Sequence, residues 1–142
     1  MAALGELVRA VLRRAPENVD ALHLLGATWA RSGVHLGEAA KTLERAFGLR
    51  PASGEIAGSL GGLYLQLGRL DEAQRLLERA ERQTPDDPAV LARLGDLYLR
   101  RADRSRALDA YRRALARRPE ERTRHAVEEQ LLLLETGRIG AR

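Results

Sequence analysis

Residues 91–119 read LARLGDLYLRRADRSRALDAYRRALARRP, and residues 57–85 read AGSLGGLYLQLGRLDEAQRLLERAERQTP. From Pro85 to Pro119 is 34 residues, and at that offset the two stretches agree in kind along their length. Leu91, Leu94, Gly95 and Tyr98 answer to Ala57, Leu60, Gly61 and Tyr64; Ala107, Tyr111 and Ala114 answer to Ala73, Leu77 and Ala80. A third copy lies upstream and closes at Pro51, again 34 residues before Pro85. It carries Leu22, Leu25, Gly26, Trp29, Gly33, Ala39, Leu43 and Ala46. A fixed period of this kind outranks any local reading of secondary structure.

Each copy contains two helical stripes. Leu91, Leu94, Gly95 and Tyr98 fall at i, i+3, i+4 and i+7, one face of a first helix; Ala107, Tyr111 and Ala114, at i, i+4 and i+7, mark a second. Glycine inside a helix costs about 1 kcal/mol relative to alanine. Gly26, Gly61 and Gly95 are therefore expected where two helix backbones approach closely, with Ala39, Ala73 and Ala107 serving the same closeness from the second helix. Gly33 and Gly68 suit the turn between the two, where a residue with φ > 0 ends the first helix. Ala102 holds that place in the third copy and predicts a less ideal turn. Thr84-Pro85-Asp86 and Asp87-Pro88 mark stops and restarts, because proline cannot continue a helix but fits its first turn. A single helix pair buries only part of its apolar surface, so the pairs must stack.

The skeleton apolar–apolar–Gly–aromatic followed by Ala–aromatic–Ala–Pro resembles the tetratricopeptide repeat, over residues 16–121. The resemblance implies an all-α fold, a right-handed α-solenoid of antiparallel helix pairs with three units at 19–53, 54–87 and 88–121. Residues 1–15, with Leu4, Leu7, Val8, Val11 and Leu12 on one stripe, match the second half of a preceding repeat. They are an orphan helix left by a cut from a longer array, or a natural capping helix. Residues 122–137 are expected to cap the last repeat with Ala126, Val127, Gln130, Leu131 and Leu134; Leu132 and Leu133 widen that face into a buried surface or a self-association patch. Residues 138–142 are expected to be a tail. The first copy holds one extra residue between Gly33 and Ala39, predicting a longer turn with no later shift of register. Gly58-Ser59-Leu60-Gly61-Gly62 is a poor helix by propensity and must be held by its neighbours.

Composition agrees. The chain has 142 residues, 44% hydrophobic and 31% charged, which excludes wholesale disorder. There is no cysteine, hence no disulfide, thiol nucleophile or thiolate metal site. The net charge of +4 permits an acidic partner without requiring one. Lys41 is the only lysine, so arginine supplies nearly all the positive charge, a bias that points to a GC-rich bacterial genome. No apolar run approaches the ~18–20 residues of a membrane span, and the stretch Met1–Glu6 has no signal-peptide pattern. The repeats are similar to those of bacterial envelope-associated proteins and equally to those of cytoplasmic scaffolds, which leaves the compartment open.

In the tetratricopeptide family the first helices line a concave groove that takes extended or helical peptides of another protein. The resemblance places Asp20, His23, Ala27 and Arg31 in that groove from the first copy, with Glu55, Gly58, Ser59, Gly62 and Gln66 from the second. Arg93, Asp96 and Arg100 follow from the third. The middle looks bare at Gly58, Ser59 and Gly62, with room for a bulky side chain or a partner helix, and arginines on the rim suit partner carboxylates. The carboxylate clamp of the chaperone adaptors is not reproduced: Ala27 and Gly62 replace its asparagines, His23 its lysine, and only Arg93 fits.

No catalytic pattern emerges. His23, His35 and His125 form no H-E-x-x-H motif, no serine stands in a nucleophile elbow, and the Gly58–Gly62 run lacks the Lys-Ser/Thr of a phosphate loop. The chain reads as a non-enzyme with no cofactor, metal or small-molecule substrate. The alternative is nucleic-acid binding by the arginines between Arg100 and Arg124, a stretch without stacking aromatics apart from core-facing Tyr111.

Overall fold

A computed structural model describes residues 2–137, with side chains from residue 5 onward. The expected stripe position of the Leu4 side chain and the expected tail 138–142 lie outside the described residues. Among these residues every regular element is α-helix: α1 Ala2–Arg14, α2 Val19–Ser32, α3 Leu36–Leu49, α4 Gly54–Gln66, α5 Leu70–Gln83, α6 Pro88–Arg100, α7 Arg104–Ala116 and α8 Glu121–Glu135. They pack as α2/α3, α4/α5 and α6/α7, and each pair leans on the next through α3·α4 and α5·α6. The backbones of α2, α4, α6 and α8 also approach in succession, whereas those of α3, α5 and α7 stand further apart and meet only through long side chains. Contact on one side and separation on the other bends the stack, so α2, α4, α6 and α8 form its concave layer.

Helix boundaries follow local chemistry. Asn18, Ser53 and Asp87 cap α2, α4 and α6 by accepting from the amides of Ala21, Ile56 and Ala89. Gly33 and Gly68 adopt φ of +70° and +79°. The amide of Gly68 donates to Leu65 O and that of Arg69 to Tyr64 O, the paired bonds that satisfy the last carbonyls of a helix. The amides of Ala102 and Asp103 make the same pair, to Leu99 O and Tyr98 O, but Ala102 does so at φ +60° with a Cβ in place. The extra residue of the first copy lies after Gly33, where Val34 and His35 precede α3 and only Arg69 separates Gly68 from α5. His35 absorbs it by turning left-handed at φ +51°.

At Gly26 the expected close approach of backbones is present, a Cβ there lying 3.4 Å from Ala39 O, and at all three glycines a side chain of the partner helix fills the space as well. A Cβ on Gly26 or Gly61 would lie 2.6 or 2.8 Å from Cγ of Leu43 or Leu77, and one on Gly95 would lie closer still to the Tyr111 ring. The glycine makes a slot for the large residue of the partner helix. Ala39, Ala73 and Ala107, all fully buried, thin the second helix one turn earlier.

Two stripes on each inner helix organise the core. Ala57 and Gly61 of α4, and Leu91, Gly95 and Tyr98 of α6, face their own pair, while the Tyr64 hydroxyl donates to Glu44 of α3 in the preceding one. A second stripe, Ile56, Leu60 and Leu63 of α4 and Val90, Leu94 and Leu97 of α6, is buried toward the preceding repeat. These two stripes bury α4 almost entirely, which is how a glycine-rich segment is held helical. In α8 the backward stripe recurs as Val127, Leu131 and Leu134, packed on Leu91, Ala107, Tyr111 and Ala114. The residues that would face a further outer helix are Glu128, Leu132 and Glu135, all exposed. α8 is thus an inner helix whose far side carries Glu128 and Glu135 around the exposed Leu132. Ala126, expected in the buried face, is exposed, and Gln130 is half-buried. At the other end Val8 is buried against Ala21 and Leu25, but Leu7 is 63% exposed.

A left-handed non-glycine residue costs about 1–2 kcal/mol, partly offset in the unfolded chain when glycine replaces it. Ala102→Gly is accordingly expected to stabilise the chain by about 0.5–1 kcal/mol, read as a rise of a few degrees in thermal midpoint.

Candidate functional site

The concave layer encloses a groove of ≈ 1290 Å³ running across α2, α4, α6 and α8. It gathers Asp20, His23, Ala27, Arg31, Glu55, Ser59, Gly62, Gln66, Arg93, Asp96 and Arg100 on one surface. Gly58 is buried beneath it. Reading the sequence missed the far wall, which α8 supplies through Thr123, Ala126 and Gln130. The signal was present: Val127, Leu131 and Leu134 repeat the i, i+4, i+7 spacing of Val90, Leu94 and Leu97, which marks α8 as another inner helix rather than a lid.

The bare floor is filled. A Cβ on Gly62 would meet Arg93 Nε at 2.8 Å, and one on Gly58 would meet Val90 Cγ2 at 3.1 Å and Arg93 Nη1 at 3.3 Å. Gly58 and Gly62 therefore seat the Arg93 side chain of the next repeat and leave no vacancy there for a partner. One repeat earlier the sizes are reversed. His23 and Ala27 hold the places of Gly58 and Gly62, the small Ser59 holds that of Arg93, and His23 Nε2 shares a 2.8 Å hydrogen bond with Ser59 Oγ. Burial pulls the Arg93 guanidinium down from its ordinary value, Asp87 and Asp96 acting against it and Arg31 with it. An arginine stays charged under these conditions, and among the described residues it has no ion-pair or hydrogen-bond partner.

Other rim residues act within the chain. Gln66 Nε2 donates to Ala30 O at 3.1 Å, and Arg100 Nη1 donates to Leu65 O at 2.9 Å. Both close the carbonyl end of the preceding inner helix, so Arg100 is a latch between repeats rather than the free rim cation the sequence suggested. Asp20 pairs with Arg50 at 3.2 Å. Asp96 accepts from the Tyr111 hydroxyl, which reaches the groove past Gly95. Burial raises the Asp96 carboxyl against that hydrogen bond and against Arg100 and Arg93. Burial likewise lowers His23, with Glu55 the main opposing influence.

The arginine-rich third repeat is equally committed. Arg101 pairs with Asp71, Arg113 with Glu81 and Arg117 with Asp86, each joining consecutive repeats. Arg104 donates to Leu134 O and Arg112 reaches Glu135, fastening α8. Arg106 pairs with Asp103 and lies over the Tyr98 ring. Tyr111, the one ring that stacking would need, is buried. Among the described residues no cluster of His, Asp or Glu has metal-ligand geometry, and no helix is long and apolar enough to cross a membrane.

A curved stack of two-helix units with a glycine slot in each defines a class, and comparison with known proteins agrees. Tetratricopeptide repeat matches cover residues 35–97 and 90–123, and the chain belongs to that family. The crystal structure of MamA superposes with a TM-score of 0.74 at 22% identity, over 94% of this chain and 76% of that one. A thermophilic tetratricopeptide protein of Thermus thermophilus, TTC0263, gives 0.74 at 24% identity over 91% and 72%. At such identities the likeness is one of fold. The Thermobaculum terrenum O-GlcNAc transferase gives 0.68 at 30% identity over 77% of this chain, which spans only 22% of that enzyme. No curated protein sequence matches the chain. The fold is that of a protein-interaction scaffold.

The two kinds of glycine are experimentally distinct. Gly95→Ala drives a methyl into a buried ring and is expected to cost at least about 2 kcal/mol, of order the penalty of overpacking a core. Gly62→Ala meets the flexible end of Arg93 and gains helix propensity, so its unfolding free energy is expected within about 1 kcal/mol of wild type. Denaturant titration of both measures the contrast. His23 titrates with a known sign: its folded value is lowered, so the unfolded chain binds the extra proton first. Stability present at pH 7 is therefore lost as pH falls through about 6.5 toward the folded value. His23→Gln is expected to flatten that part of the pH–stability curve.

Proposed function

We propose that this chain is an adaptor that holds an extended or helical segment of a partner protein in the groove of α2, α4, α6 and α8. The observation that carries the reading is a continuous concave surface whose polar groups are not all used by the chain. Arg31, Glu55 and Arg93 have no ion-pair or hydrogen-bond partner among the described residues, and Gln130 Oε1 is buried without one. Helices pack about 8–10 Å apart, so the groove spans roughly 25–30 Å, the reach of about eight or nine extended residues. Along that path a segment meets Glu55 near α4 and cations from Arg31 and Arg93, which favours a partner with alternating charge over a uniformly acidic one.

Arg31 and Glu55 are the residues to test, because both are exposed and neither latches one repeat to the next. Retention of the partner captured from host lysate is expected to fall at least about tenfold for Arg31→Glu combined with Glu55→Lys. The thermal midpoint should move by no more than a degree or so. Undiminished capture by that variant would place the partner outside the groove.

A further inference from the structure

We propose that a hollow on the outer layer, between α3 and α5, is a docking site for helix α8 of a second copy of this chain. The hollow has a volume of ≈ 430 Å³ and lies away from the groove, with Phe47, Leu76 and Tyr64 as its apolar lining and Arg75, Arg79 and Arg82 around it. Glu72 and Glu78 also line it, with Glu44 beside them, and each accepts hydrogen bonds within the chain. Glu72 accepts two bonds from Arg69 at 2.9 and 2.8 Å, Glu78 accepts from Gln74 at 2.7 Å, and Glu44 accepts from the Tyr64 hydroxyl at 2.9 Å. Arg79 donates to Pro51 O and lies over the Phe47 ring. Arg75 and Arg82 are exposed and have no ion-pair or hydrogen-bond partner among the described residues. Three arginines against two carboxylates leave the recess net positive, with Arg75 and Arg82 free to turn toward a partner, which fits an apolar side chain flanked by carboxylates.

The far side of α8 has that composition. Leu132 is 62% exposed, with Glu128 and Glu129 one turn before it and Glu135 one turn after. Glu128 and Glu129 have no partner among the described residues, and Glu135 meets Arg112 only at 3.6 Å. The rest of α8 is fastened to α6 and α7 through Val127, Leu131 and Leu134, so this edge is presented rigidly at the end of the stack. Knob and hollow are different surfaces of one molecule. Their contact either joins copies head to tail or, made twice between two copies, closes an isologous dimer. The proposal does not depend on occupation of the groove.

Sedimentation velocity of the full chain at low ionic strength, from low to high micromolar concentration, is the test. The wild-type coefficient is expected to rise with concentration, and the rise to weaken with added salt. Leu132→Glu, and separately Arg75→Glu with Arg82→Glu, should each shift the association midpoint at least about tenfold upward, with unchanged helix content by circular dichroism. Mixed together, these two variants should form a one-to-one complex and nothing larger, because the first retains its hollow and the second its knob. Glu128→Arg with Glu129→Arg provides a knob variant that keeps Leu132, and it should associate with the Arg75→Glu, Arg82→Glu chain. A wild-type chain monomeric throughout, or variants that fail to associate when mixed, would overturn the proposal. Association unaffected by Leu132→Glu would do so equally.

Discussion

At Gly26, Gly61 and Gly95 the inner-helix backbone is itself the packing surface, and the side chains of Leu43, Leu77 and Tyr111 lie against it. Everything else in the array depends on that fit. It brings the two helices of a unit together and buries Leu43, Leu77 and Tyr111 almost completely. The penalty of glycine in a helix, about 1 kcal/mol, is smaller than the gain from burying a leucine or tyrosine, about 1.5–3 kcal/mol. In the third unit the same slot also carries the Tyr111 hydroxyl to Asp96, so a core contact positions a carboxylate on the concave face.

Arginine joins one unit to the next. Arg101, Arg113 and Arg117 reach Asp71, Glu81 and Asp86, while Arg79, Arg100 and Arg104 end on the carbonyl oxygens of Pro51, Leu65 and Leu134. Single exposed ion pairs contribute little to stability. A guanidinium closing the carbonyl end of a helix adds a geometric constraint, since its planar fork fixes direction as well as distance. The constraint adds to the packing of each repeat on the last. It also removes most of these arginines from the pool available to a phosphate backbone.

The groove floor shows how one position serves structure in one repeat and leaves chemistry free in the next. Where His23 is large its counterpart Ser59 is small; where Gly58 and Gly62 are absent as side chains, Arg93 fills their place. Packing holds the sum of the two layers constant, because a void here would forfeit dispersion contacts that water does not replace. The resulting surface is smooth in shape and uneven in charge. It carries unpaired groups at Arg31, Glu55 and Arg93, while Gln66 and Arg100 are tied down beside them.

The sequence by itself determined the repeats, their helices and the turns between them. Each of those is written in spacing: the 34-residue period, the i, i+3, i+4, i+7 stripes, the restart at Asp87-Pro88, and the turn places at Gly33, Gly68 and Ala102. Because every first helix presents the same positions inward, the family resemblance also indicated most of the residues that line the concave face, though it missed the α8 wall and counted the buried Gly58 among them. Which of those residues remain free was decided only by the tertiary structure. Arg93 is a neighbour of Gly62 across two helices, Arg100 of Leu65 across a repeat, and α8 joins the groove because its backward stripe meets Leu91 and Tyr111. Such pairings depend on the rotation between units, a sum of many small packing choices with no signature at any single position.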